Sequence, residues 1–133
     1  MRIYFDENFS KQLVYGIGEF QKGRRSEDIE VIYIPDEFGR GSPDDEWIPK
    51  VAQRHGCVIT QDINISRTPM LWDLCKENKI GVFFFRQPKR NKYTYWLWVE
   101  EVMKHWQEIK DSSKNIDRPF SCFFEPNKKK GKY

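Results

Sequence analysis

Three short runs in this 133-residue chain are apolar almost without interruption, and they limit the folds open to it. They are IEVIYIP at 29–35, CVIT at 57–60 and IGVFFF at 80–85. A strand with one face in water alternates apolar and polar residues. A strand that is apolar throughout is buried on both faces, as in a parallel sheet covered by helices. A fourth run, RIYF at 2–5, has Ile3 and Phe5 alternating with Arg2 and Tyr4, all residue types suited to a strand.

Helical spacing fills the gaps between these runs. Phe9, Leu13, Val14, Ile17 and Phe20 predict a helix capped by Asn8 or Ser10, weakened at Gly16 and Gly18 and ended near Gly23. Residues 36–46 read as loop and turn. Ser42 and Pro43 then read as an N-cap followed by the first helical position, with Asp45 completing a capping-box-like pair. Trp47, Ile48, Val51, Ala52 and His55 share one face of that helix, and Gly56 stops it. Pro49 lacks the amide hydrogen the second turn needs, so this helix starts nearer Asp45 or bends. Thr68-Pro69 opens another helix, with Leu71, Leu74 and Cys75 inward. The longest helix is predicted over 93–110, with a stripe of Trp96, Val99, Met103, Trp106 and Lys110 widened by Val102 and Ile109. Trp98 falls outside that stripe, free to touch a partner. The segment 119–126, bounded by prolines, suits an added edge strand, and KKKGKY reads as disordered. Strands alternating with helices mean a three-layer α/β/α fold with a mostly parallel central sheet. The expected organisation is one domain over 1–118, then a C-terminal edge segment and basic tail over 119–133.

Composition narrows the function classes. No apolar run is long enough to span a bilayer, and the chain opens directly on a strand pattern, with no signal peptide visible. Cys57, Cys75 and Cys122 are widely spaced in apolar settings, which reads as buried thiols in a cytoplasmic protein rather than a disulfide frame or zinc knot. The formal net charge is +3, but it is uneven: Arg24-Arg25, the loop 86–92 and the tail 128–132 are basic, while 36–46 is acidic. Basic edges around an acidic centre suit an enzyme that acts on a polyanion through bound cations.

In a parallel sheet everything that follows a strand lies on one rim. Asp6, Glu7 and Asn8 follow the first strand. Asp36 and Glu37, then Asp44, Asp45 and Glu46, follow the second, and Asp62 follows the third. Clustered carboxylates repel unless a cation offsets their charge, and hard divalent ions with oxygen ligands, Mg²⁺ or Mn²⁺, do so. A cation so held acidifies bound water and offsets charge on a phosphoryl group, which makes phosphodiester hydrolysis the natural chemistry. The bland alternative is that each Asp caps a helix or forms a turn. The other motifs are weak: His55 and His105 lack spaced partners, GRGS at 39–42 lacks the ending of a phosphate loop, and no serine has a histidine–acid pair. Arg24, Arg25, Lys89, Arg90 and Lys92 are candidates to hold the backbone of such a polyanion.

RIYFDENFS, IPDEFGRGSPDDEWIP and VITQDINISRT resemble PIN-like domains of the VapC-like toxin type, over about residues 2–110. The resemblance implies a metal-dependent ribonuclease, the toxin of a toxin–antitoxin pair, with RNA as substrate and an antitoxin protein blocking the cleft. A homodimer is compatible with it. It carries the catalytic and metal-holding roles onto Asp6, Asp45 and Asp62, with Thr60 orienting the last acid. Glu7, Asn8, Asp44, Glu46 and Asn64 would support them; Asp44 or Glu46 could take the middle role, and the spacing to Ile48, Ala52 and Gly56 favours Asp45. A fuller site of this family has a fourth acid downstream, where this chain offers Asn64 or Asp73. Two other readings fit the pattern: a receiver-like phosphoacceptor domain built on Asp6, Glu7, Asp62 and Lys89, and a non-catalytic RNA- or protein-binding module on a PIN-like fold.

Overall fold

The structure is a computed structural model that describes residues 1–62 and 64–126, with the backbone alone described at Asn64 and Ser66. The basic tail therefore lies outside the described residues. Five strands, β1 (Arg2–Phe5), β2 (Glu30–Tyr33), β3 (Cys57–Thr60), β4 (Gly81–Phe85) and β5 (Phe120–Phe124), form one sheet in the order β2-β1-β3-β4-β5. Every pairing is parallel. The register sets Phe5 beside Tyr33 and Ile59, and Thr60 beside Phe84, so the strands end together. The expected α/β class and mostly parallel sheet are present, and β5 takes the edge predicted for it.

Strand geometry explains the unbroken apolar runs. Successive side chains point to opposite faces, and here both faces are covered. Ile3, Phe5, Cys57, Ile59, Phe83 and Phe85 meet α1 (Lys11–Lys22) through Leu13, Val14 and Ile17. On the same face Val102, Trp106 and Ile109 of the helix Tyr95–Asn115 close the layer. Tyr4, Val58, Val82 and Phe84 face the other way, toward α2 (Ile34–Phe38), α3 (Asp44–Gln53), α4 (Asn64–Arg67) and α5 (Pro69–Glu77). The helix Tyr95–Asn115 is α6. Among the described residues no helix is long and apolar enough to cross a membrane.

Five local expectations need correction. The second strand stops at Tyr33, and Ile34 and Pro35 open α2 instead; proline, with φ already helical and no N–H to lose, suits a helix start as well as a strand end. A short helix, α4, follows β3 in place of a simple lead-in. Pro43 is the N-cap of α3 rather than its first residue, and no side chain caps that helix, so the Ser42–Asp45 capping pair is not made. The helix then runs through Pro49 to Gln53. On α6 the buried positions are Glu101, Val102, Trp106, Ile109, Lys110 and Ser113, while Trp96 and Met103 are exposed. Trp98, expected outside the core, packs edge-on against Phe9, Phe85 and Tyr93 at 5.4, 6.2 and 5.0 Å between ring centroids.

A chain of polar groups runs through this layer. Trp106 Nε1 donates to Gln21 Oε1 at 3.0 Å, Gln21 Nε2 donates to Glu27 Oε1 at 2.8 Å, and Lys110 Nζ reaches the same oxygen at 2.7 Å. A lysine ammonium is admitted to the core edge because a carboxylate meets it there. Those bonds hold Glu27 down at a pKa of about 2.

Candidate functional site

The order β2-β1-β3 reverses the direction of chain progress between β1 and β3. The chain leaves β1 for α1 on one face and leaves β3 for α4 and α5 on the other. The two exits diverge, and in open α/β sheets the crevice so opened at the strands' C-terminal ends is where ligands bind. Here it is a cleft of about 230 Å³ lined by Asp6, Glu7, Asn8, Ile34, Ser42, Asp44, Trp47, Asp62 and Ile65.

Asp6 lies at its floor and is 8% exposed. Its backbone N–H continues the ladder to Ile59 O at 3.1 Å, which fixes the side chain at the mouth of the β1–β3 pair. Oδ1 accepts from the Asn8 N–H at 3.2 Å, and Oδ2 accepts from the Thr60 hydroxyl. Burial pushes the Asp6 pKa up to about 7. The bonds from Thr60, Asn8 and Gln61 oppose that rise, and the nearby Asp62 adds to it. Thr60 Oγ1 also accepts the Asp62 N–H at 2.8 Å. One fully buried hydroxyl thus ties the first acid to the backbone of the last. The resemblance had Thr60 orienting Asp62; it reaches Asp62 through the amide and gives its proton to Asp6.

The third carboxylate comes from α3. Asp44 is its first residue, half-buried, and Trp47 Nε1 donates to Asp44 Oδ1 at 3.0 Å. Burial raises the Asp44 pKa, the Trp47 bond opposes this, and the charges of Asp62, Asp45 and Glu7 raise it further. The structure does not bring Asp45 into this cleft. Consecutive helical residues differ by about 100° around the axis, and Asp45 faces a separate groove with Met70, Leu71, Asp73, Leu74 and Glu77. The middle position of the cleft is filled by Asp44, one residue earlier than the spacing argument favoured. Asp73 is in that second groove and pairs with Lys76 at 3.1 Å, so it adds no fourth acid to the cleft. Glu46 is exposed on the first turn and does not line the cleft, and the side chain of Asn64 lies outside the described residues. Trp47 read as a core residue in the sequence. Its second role, holding Asp44, was visible only as an Asp-x-x-Trp step at a helix start.

Basic candidates divide between the two rims. Arg24 and Arg25 precede β2, and Arg25 lines a pocket with Met1, Ile29 and His55, at the strands' N-terminal ends. That is the rim opposite the cleft, because α1 carries the chain back across the sheet before β2 begins, so these two arginines do not flank the acids. Lys89, Arg90 and Lys92 follow β4 on the same rim as the cleft, and all three are exposed.

The donors in the cleft are carboxylate, amide and hydroxyl oxygens, which suits a hard divalent cation. Neither Asp6 nor Asp44 makes an ion pair with a described residue. Arg40 reaches only Glu7, at 4.0 Å. Among the described residues no three His, Cys, Asp or Glu side chains stand close enough together to hold an ion directly between them. Mg²⁺ keeps several of its waters and is often held by one or two carboxylates plus substrate phosphates. The donor set fits a hydrated ion of that kind.

A parallel α/β sheet with carboxylates gathered at its switch point defines an acidic-cleft α/β domain. A family model described as PIN like domain matches residues 1–87, and the chain belongs to that family. PIN-like domains are commonly nucleases, and this chain has their nuclease-type fold. No curated protein and no solved structure matches the chain.

Proposed function

We propose that the protein is a divalent-cation-dependent ribonuclease of the VapC-like toxin type, acting in the cytoplasm and restrained by a cognate antitoxin protein. The observation that carries the reading is the convergence of Asp6, Asp44 and Asp62 on one cleft at the β1/β3 switch point. Mg²⁺ or Mn²⁺, held by these three residues at least partly through its waters, would supply an acidified water and offset charge on the phosphoryl group. Asp6 is positioned by two hydrogen bonds and stays at the floor of the cleft, where low local dielectric strengthens its attraction for any cation it faces. Asp44, fixed by Trp47, lines the cleft. Thr60 keeps Asp6 and the backbone of Asp62 at one spacing.

The family and a lining whose charged residues are all acidic favour this over the receiver-like reading, which needs a lysine in the site; Lys89 does not line the cleft. The test is cleavage of a single-stranded RNA with Mn²⁺ or with a chelator. The wild type cleaves only with the ion, and Asp6→Asn, purified identically and with an unchanged circular dichroism spectrum, does not. A domain that binds RNA but never cleaves it, with or without Mn²⁺, would favour the non-catalytic module.

A further inference from the structure

One aromatic pair on the cleft rim has no role in the core. Trp96, on the first turn of α6, is 73% exposed, and its neighbour Tyr95 is 41% exposed. The two rings meet edge to face at 5.1 Å. Trp98, two residues on, fills the aromatic position that the core requires, against Phe9 and Phe85. A solvent-facing indole, costly to leave in water, is therefore not explained by folding.

What stands beside it points to a ligand. Lys89, Arg90 and Lys92 lie in the loop that leads into α6, all exposed, and none makes an ion pair with a described residue. These cations and the two rings lie on the rim that carries the acidic cleft. β4 is separated from β1 by β3 alone, so roughly 10 Å of sheet divides their ends. Free cations beside exposed aromatic rings are the elements of a single-strand binding surface: the cations track phosphates, and the rings stack on bases whatever their identity. A duplex has no free base face to offer such rings.

We propose that Trp96 and Tyr95, with Lys89, Arg90 and Lys92, bind single-stranded RNA next to the cleft. A base stacks on Trp96, and the adjoining phosphates lie on the loop. The surface makes the protein selective for single strands and indifferent to sequence at this position; that the strand is RNA rests on the nuclease reading above.

The experiment measures binding of a labelled oligouridine, and of a duplex RNA of equal length, by fluorescence anisotropy in chelator, where cleavage is absent. The expected result is that Trp96→Ala weakens single-strand binding by about tenfold, the order of one lost base stack, while Trp96→Tyr stays within about threefold. Trp96→Ala leaves the salt dependence unchanged, and Lys89→Ala with Lys92→Ala lowers its slope by about 1.4. Duplex binding is independent of Trp96. Wild-type affinity in a folded Trp96→Ala protein would overturn the proposal. So would a loss of self-association in that variant with RNA binding intact, since the face would then be a protein contact. If these binding results hold while the wild type never cleaves, the surface stands and the nuclease reading falls.

Discussion

The Thr60 hydroxyl donates to Oδ2 of the buried Asp6 carboxylate, from the adjacent strand and from 54 residues away in sequence. Thr60 Oγ1 also accepts the Asp62 N–H, so two acids on separate strand ends share one positioning group. A hydrogen bond to the ionised form favours ionisation. Thr60 therefore keeps Asp6 more acidic than its burial alone would allow.

Thr60→Val tests this directly. Valine keeps the shape and removes the hydroxyl, leaving Asp6 Oδ2 and the Asp62 N–H without that partner. The Asp6 pKa moves further up from about 7. Stability falls by about 1–3 kcal/mol, the cost of unsatisfied buried polar groups. Carboxyl-carbon NMR titration of Asp6 and urea denaturation read the two effects. An unchanged titration midpoint would mean that Thr60 has no hold on the acid.

Burial of Asp6 also gives stability a pH dependence. Its folded pKa of about 7 lies above the 3.8 of an unperturbed aspartate. Between those values the folded state binds the proton that the unfolded chain has lost. The contribution is fully present below about pH 4 and is lost as pH rises to about 7, by at most about 4 kcal/mol. Glu27, with its pKa lowered to about 2, has the opposite sign in a lower window, where its contribution is lost as pH falls from the ordinary glutamate range. The difference in melting temperature between wild type and Asp6→Asn isolates the first term. That difference changes in the variant's favour from pH 4 to pH 7.5 in chelator, and Mn²⁺ reverses the trend for the wild type alone. A difference flat across this range would contradict the assignment.

Gly56 supports the site from beneath. It was expected as the stop of the helix before β3, but the left-handed turn is made by His55, with φ 55°. Gly56 is required for a different reason: a Cβ there would meet Tyr4 Cε1 at 2.6 Å and Val51 Cγ1 at 2.9 Å. Both neighbours are fully buried and have nowhere to move. Gly56→Ala should cost about 1–3 kcal/mol in urea denaturation, as overpacked cores do. A variant as stable as the wild type would show that this layer gives way more easily than its packing implies.

The three runs at 29–35, 57–60 and 80–85 were legible because they are apolar almost throughout, and the strands' shared direction placed the acids on one rim before any coordinates. Phase was harder to read. On α6 the stripe holds the buried Val102, Trp106, Ile109 and Lys110, but the large apolar residues Trp96 and Met103 drew it too wide, and it passed over Glu101 and Ser113, polar residues that the inner face also includes. At α3 a shift of one residue in the start, with Pro43 as cap rather than first residue, turns Asp44 into the cleft and Asp45 out of it. Sequence spacing is blind to that shift, since proline fits either position. The opposite-rim placement of Arg24 and Arg25 follows from topology alone, and chain order could have given it.

RNA cleavage by Asp44→Asn and Asp45→Asn, measured side by side with Mn²⁺, tests the acidic cleft most directly. If Asp6, Asp44 and Asp62 act together, Asp44→Asn loses about a hundredfold or more in rate, several kcal/mol of lost charge stabilisation, and Asp45→Asn stays within a few-fold of wild type. Loss of activity in Asp45→Asn with Asp44→Asn unaffected, or equal rates in all three proteins, would contradict it.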